Sequence, residues 1–143
     1  MADTVRDAMT AGAECIGEQE TVAAAAQKMK DLGVGSLPIC GEDNRLKGMV
    51  TDRDIVVKVV AAGQDPQSTT AGSLAEGKPV TIGADDSLQE ALRTMSQYQV
   101  RRLPVIDGHD LVGMLSLADL SKALPEEAAG DLVQAISSGG PTL

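Results

Sequence analysis

At 143 residues the chain has the length of one ordinary domain, or of two half-size units sharing a core. Apolar residues make up 43% and aromatics 1%, so the interior must be built from Ala, Val, Leu, Ile and Met, and the stacking platforms that single-stranded nucleic acid needs are missing. Acidic residues outnumber basic ones by 21 to 12, and a formal charge of -9 repels a phosphate backbone; nucleic-acid binding is disfavoured.

The opening MADTVRDAMT is mixed in charge without an apolar leader core, and no later run approaches the roughly eighteen apolar residues of a membrane span. A cytoplasmic location and no membrane contact are expected. Thr4 to Met9 reads as a short lead-in helix, followed by a short strand around Cys15 and Ile16. Val22, Ala25, Ala26, Met29 and Leu32 then keep the spacing of an amphipathic helix, with Thr21 as its N-cap. Leu37 to Cys40, the polar turn GEDNR and a second apolar segment read as a β-hairpin. A closing helix begins near Asp52, and AAGQDPQSTT carries the Gly, Pro and Ser/Thr signals of a linker.

The same order then returns. A lead-in segment over Thr70 to Leu74, a strand at Val80 to Ile82, a helix through Leu88, Ala91, Leu92, Met95 and Tyr98, a hairpin starting at Leu103 to Ile106 and a helix from near Leu117 follow in turn. Ser87 and Glu90 have capping-box spacing at the start of that second long helix. A last helix is expected from about Glu126 to Ile136, ahead of a flexible SSGGPTL tail.

Laid over each other at an offset of 66 positions, ECIGEQETVAAAAQKMKDLGVGSLPIC and VTIGADDSLQEALRTMSQYQVRRLPVI place Ile16 on Ile82, Gly17 on Gly83, Ala25 on Ala91, Met29 on Met95 and Pro38 on Pro104. One residue is lost in the hairpin turn, after which Gly48, Met49 and Asp54 match Gly113, Met114 and Asp119. The expected fold class is α/β (α+β): two β-α-β-β-α repeats packed about a pseudo-twofold axis, the first two strands of each being parallel through a right-handed crossover. The divisions read as residues 1–62 for repeat one with its lead-in helix, 63–69 for the linker, 70–124 for repeat two and 125–143 for the C-terminal helix and tail.

The order of elements, the LPIC and RLPVI strands and the closing GMVTDRDI and GMLSLADL segments resemble a tandem pair of cystathionine-β-synthase (CBS) domains, a Bateman module, over roughly residues 5 to 124. The pattern, both cysteine positions included, is similar to the stand-alone two-repeat proteins of actinobacteria of the hypoxic-response type. The resemblance implies a non-catalytic regulatory module that binds AMP, ADP, ATP or another adenosyl ligand in clefts between the repeats, requires no cofactor, and assembles as a disc-like homodimer. With no second domain in the sequence, its output passes through self-association or an unidentified protein partner.

The ligand motif that the resemblance implies is a Gly, two apolar residues, Ser or Thr, any two residues, then Asp. It stands twice, as Gly48 to Asp54 and as Gly113 to Asp119. Its chemistry follows from the spacing: a strand running into a helix puts Thr51 or Ser116 at the N-cap and Asp54 or Asp119 one turn inside, on the same side. The carboxylate can accept from two ribose hydroxyls, while the hydroxyl and the helix-start amides suit a phosphate. Arg53, Arg101 and Arg102 are candidates for the phosphate end, with Lys58 behind them. For the base, the resemblance implies backbone and aliphatic contacts from Ile16, Leu37, Pro38 and Ile39 in the first copy and Val80, Ile82, Pro104 and Val105 in the second. The plainer alternative is that Thr-x-x-Asp is a capping box serving only its own helix.

Cys15 and Cys40 fall on neighbouring parallel strands, within reach of a disulfide that would close a loop of 25 residues. In the loop-entropy description such a bond stabilises by roughly 3 kcal/mol. Thr81 and Ile106 replace them in repeat two, so the fold itself does not require the thiols; two inert buried cysteines are the other reading. His109 is expected as a solvated turn residue, and Met29, Met95, Met49 and Met114 as core filler. No Cys/His/Asp cluster has metal spacing and no nucleophile–base constellation converges, so neither a metal site nor an enzyme is expected. The alternative function is a stress-response interaction or redox-responsive protein with empty clefts and a working Cys15–Cys40 pair.

Overall fold

The computed structural model describes residues 3–75 and 77–124. The helix expected over Glu126 to Ile136 and the tail lie outside these residues. The elements run α1 (Val5–Ala8), β1 (Thr10–Ala11), β2 (Ile16–Gly17), α2 (Val22–Leu32), β3 (Ser36–Cys40), β4 (Leu46–Thr51), α3 (Asp52–Asp54), a π-helical stretch (Ile55–Val60), a 3-10 turn (Ala71–Leu74), β5 (Ile82–Gly83), α4 (Leu88–Tyr98), β6 (Arg102–Asp107), β7 (Asp110–Ser116) and α5 (Leu117–Ala123). The strand–helix–hairpin–helix order of both expected repeats is present.

The chain divides into two compact units, and the division is not contiguous. One unit is Glu14–Pro79; the other joins Met1–Ala13 to Val80–Leu143. The first lead-in helix thus packs in the unit that holds the second strand set, and the segment after the first closing helix packs in the unit spanning 14–79. Hydrogen bonds give the reason. Val5 N–H donates to Asp86 O at 2.9 Å and Arg6 N–H to Ala84 O at 2.8 Å; at the matching positions Ala71 N–H donates to Glu20 O at 2.8 Å and Gly72 N–H to Glu18 O at 3.0 Å.

In the unit spanning 14–79 the sheet order is β2-β3-β4, with β2 parallel and β4 antiparallel to β3. Thr21 caps α2 through its side chain, which accepts from Ala24 N–H at 3.1 Å, and Gly33 ends the helix in the left-handed region. The first two helical amides are taken up by the linker: Val22 N–H donates to Thr69 O and Ala23 N–H to Pro66 O. Ile16, Val22, Ala25, Met29, Leu37, Ile39, Val50, Val59, Ala71 and Leu74 form this unit's core.

The second unit has four strands in the order β1-β7-β6-β5. β5 is parallel to β6 as β2 is to β3, but β1, from the start of the chain, adds antiparallel to β7 with Thr10 opposite Met114 and Ala11 opposite Gly113. A Cβ on Gly113 would lie 2.6 Å from Thr10 O, and one on Gly48 would lie 2.7 Å from the Ala75 Cβ, so both motif glycines have a packing reason of their own. Val5, Ile82, Ala84, Leu88, Ala91, Met95, Leu103, Val105, Leu115, Leu120 and Leu124 form the core.

The helical stripes are narrower than their periodicity suggests. Val22, Ala25 and Met29 are buried, as are Leu88, Ala91 and Met95, but Ala26, Leu32 and Tyr98 are exposed. Met29 and Met95 fill the cores; Met49 and Met114 are half-buried instead, because on β4 and β7 they alternate with the inward residues Gly48, Val50, Gly113 and Leu115. Ser87 accepts from Glu90 N–H at 3.1 Å, but the Glu90 carboxylate engages Arg93 rather than closing the box.

Candidate functional site

Both repeated motifs end a strand and begin a helix. Thr51 closes β4 as the N-cap of α3, and Ser116 closes β7 as the N-cap of α5. Asp54 N–H donates to Thr51 Oγ1 at 3.0 Å, and Thr51 N–H donates back to Asp54 Oδ2 at 3.0 Å. The second copy repeats this: Asp119 N–H to Ser116 Oγ at 3.0 Å and Ser116 N–H to Asp119 Oδ2 at 3.0 Å. The capping-box reading is thus realised in both copies, and each box uses one carboxylate oxygen, Oδ2.

Beyond the box the two sites diverge. Lys58 Nζ lies 3.3 Å from Asp54 Oδ1, which turns this cation toward the motif carboxylate. The helix changes to π-helical winding at Ile55, with Ala61 N–H donating to Val56 O, a rare geometry that occurs often at functional positions. Asp119 instead meets the hydroxyl of Thr10 at 3.5 Å, again on Oδ2. Sequence reasoning missed Thr10, because the residue reaches the motif only through the β1–β7 pairing, and a two-residue strand carries no periodicity.

The remaining candidates separate by burial. Ile16, Leu37 and Ile39 place their side chains in one core, Ile82 and Val105 in the other, and Val80 packs beside the latter. Pro38 and Pro104 are buried as well. What the core residues can offer a ligand is backbone. Arg53, Arg101 and Arg102 are exposed; Arg102 stands opposite Ser116 in the β6–β7 register, and Arg101 O accepts from Leu117 N–H at 2.8 Å. In the first unit Ser36 and Gly35 hold these two places, Ser36 opposite Thr51 and Gly35 O accepting from Asp52 N–H at 2.9 Å.

Cys15 and Cys40 are joined in a disulfide with their Cα atoms 5.8 Å apart. The register differs from a direct pairing: Cys40 faces Gly17, so the bond runs diagonally from the residue before β2 to the last residue of β3. Two cavities lie beside the β2–α2 turn. One of about 240 Å³ is lined by Gly17 to Glu20 and by Cys40, Gly41 and Glu42; the other, of about 370 Å³, is lined by Glu18, Gln19, Glu42, Asp43 and Lys47. The backbone N–H of Arg45, with Lys47 behind it, holds the Asp43 carboxyl below its ordinary range.

Among the described residues no helix is long and apolar enough to cross a membrane. The family model of the CBS domain matches residues 5–61 and 71–126. Hypoxic response protein 1 of Mycobacterium tuberculosis is 53% identical over 135 residues, 94% of each chain. The CBS domain-containing protein YhcV of Bacillus subtilis is 37% identical over 135 residues, covering 94% of this chain and 95% of its own. Among solved structures, hypoxic response protein I with two coordinated zinc ions superposes with a TM-score of 0.80 at 53% identity, over 85% of this chain and 99% of that one. CBSX2 in complex with AMP shares the fold at a TM-score of 0.74 and 24% identity, over 85% of this chain and 96% of that one. Among the described residues no three His, Cys, Asp or Glu side chains converge for a metal ion.

Proposed function

Since the chain belongs to the CBS-domain family, as a tandem pair, we propose that it is a non-catalytic regulatory module that takes an adenosine nucleotide of the AMP, ADP or ATP type at its duplicated hydroxyl–carboxylate motifs. One observation carries the reading: two strand-to-helix junctions, 65 positions apart at their aspartates, repeat the same reciprocal geometry around Thr51/Asp54 and Ser116/Asp119. Capping uses Oδ2 of each aspartate, and a carboxylate has a second oxygen with lone pairs for a sugar hydroxyl. The AMP bound to CBSX2 supports the ligand class for this fold.

Large apolar side chains exposed among the described residues, Leu32, Val56, Val57 and Val60 in one unit and Tyr98 in the other, support a homodimer. The output is then a ligand-dependent shift in packing or in the binding of a further protein, which requires the nucleotide to prefer one arrangement.

A thermal-shift and calorimetry screen of AMP, ADP, ATP, NAD and S-adenosylmethionine tests the reading, with Asp54→Ala and Asp119→Ala as controls. A ligand at 100 times its dissociation constant raises stability by about 2.7 kcal/mol. Absence of any shift from all five compounds removes the nucleotide function.

The Cys15–Cys40 bond favours a second reading, a redox-responsive protein of stress physiology with empty clefts, in keeping with the name of the relative in Mycobacterium tuberculosis. In the cytoplasm, the proposed location, such a bond would be in exchange with cellular thiols. Non-reducing mass spectrometry of protein alkylated inside intact cells decides it; a fully alkylated pair rules out a working disulfide there.

A further inference from the structure

The two motifs agree in their caps and differ in what else reaches the carboxylate. Asp54 gives Oδ2 to Thr51 N–H and has Lys58 Nζ at 3.3 Å from Oδ1, so both its oxygens are engaged within its own unit. Its side chain is 23% exposed and that of Lys58 31%, so neither partner is fully solvated. Asp119 receives Ser116 N–H and the Thr10 hydroxyl on the same oxygen, Oδ2. The place of Lys58, four residues after the aspartate, is taken by Ala123 in the second copy. Arg102 opens the strand before the second motif, with Arg101 just ahead of it, where the first copy has Ser36 and Gly35.

These differences act in one direction. A carboxylate attracts an ammonium by full charge–charge interaction and a hydroxyl only by its dipole, so a ribose hydroxyl is the weaker suitor for Asp54 Oδ1. Displacing the ammonium would also leave a partly buried cation without that partner. Among the described residues no ammonium pairs with Asp119, the exposed Lys122 three residues on included, and Arg102, which opens β6, adds attraction for a phosphate.

We propose that Lys58 is a built-in occupant of the first motif, holding it closed to a nucleotide, so that the chain takes a single equivalent at Ser116–Asp119. The proposal rests on the nucleotide reading above and specifies which of the two sites works. Lys58 acts as a specificity-determining residue through Asp54.

Isothermal calorimetry with AMP, ADP and ATP, on the full chain and its variants, tests this. The wild type is expected to bind one equivalent per chain, weakened at least tenfold by Asp119→Asn. Lys58→Met opens a second equivalent that the double variant Lys58→Met/Asp54→Asn loses again, while Lys58→Arg retains one. Thermal melts run beside the titrations confirm that each variant is folded. Two equivalents of similar affinity in the wild type, or one equivalent in a folded Lys58→Met, overturn the role of Lys58 and leave the nucleotide reading standing. Absence of binding in every variant with all three nucleotides overturns that reading, and this proposal with it.

Discussion

The outer parallel strand is two residues long in both units, and the units hold it by different means. In the unit spanning 14–79, β2 is tied to β3 by the Cys15–Cys40 bond. In the other unit Thr81 and Ile106 stand at those places, and Arg6 does the clasping: its guanidinium lies 3.4 Å from Asp85, just past β5, and 2.9 Å from Asp107, the last residue of β6. Both carboxylates raise the Arg6 pKa above its ordinary value, the hydrogen bond that Arg6 donates to Asp107 most of all. The position matching Arg6 is Gly72, where a Cβ would meet Glu18 O at 2.7 Å. One repeat is clasped covalently and carries a small residue in its docking segment; its twin is clasped by charge and carries a long one.

The comparison can be broken at its strongest point first. Cys15→Ser, or reduction of the wild type, is expected to cost about 3 kcal/mol in urea melts, because the bond closes a 25-residue loop in the unfolded chain; hydrogen exchange should show the loss at Gly17 and Glu18 and spare Gly83 and Ala84. Gly72→Ala forces a methyl against a backbone carbonyl and should cost roughly 1–3 kcal/mol by the same melts. Thr51→Ala and Ser116→Ala each remove a cap hydroxyl, for about 1 kcal/mol apiece, and equal losses would confirm that the two boxes are equivalent as caps. Arg6→Ala leaves the backbone docking of α1 in place, so its melting temperature should fall only slightly, and less so in high salt.

The smallest effect is a pH dependence confined to α1. The Asp7 carboxylate is held below its ordinary value of 3.8, first by the backbone N–H of Asp3, then by the N–H and hydroxyl of Thr4. A lowered folded-state pKa means that the unfolded chain binds the proton more readily. The contribution is therefore complete above about pH 3.8 and disappears as pH falls through the lower folded value. Amide chemical shifts of Asp3 and Thr4 followed through an acid titration should report it, with Asp7→Asn as the flat control.

Much of this was legible in the sequence because the relevant signals are local. The stripe through Val22, Ala25 and Met29, the caps Thr21 and Ser87, and the doubled Thr/Ser-x-x-Asp each depend on neighbours within one or two turns, and all stand where the spacing puts them. The failures are long-range. Thr10 reaches Asp119 across 109 positions, and α1 docks on Ala84 and Asp86 rather than on the repeat that follows it. Ala26, Leu32 and Tyr98 fit the helical period but lie outside the buried stripe, since periodicity names a face and not its width. The Lys58–Asp54 pair is within reach of the sequence, as an i,i+4 pair at a helix start.

The discontinuous division has a consequence for how the polypeptide is made. A ribosome emits β1 long before the strand it pairs with, so the middle segment, 14–79, can finish its own core while β1 waits undocked. Only when β7 emerges does β1 find its partner, so a segment synthesised ahead of that whole unit settles after it.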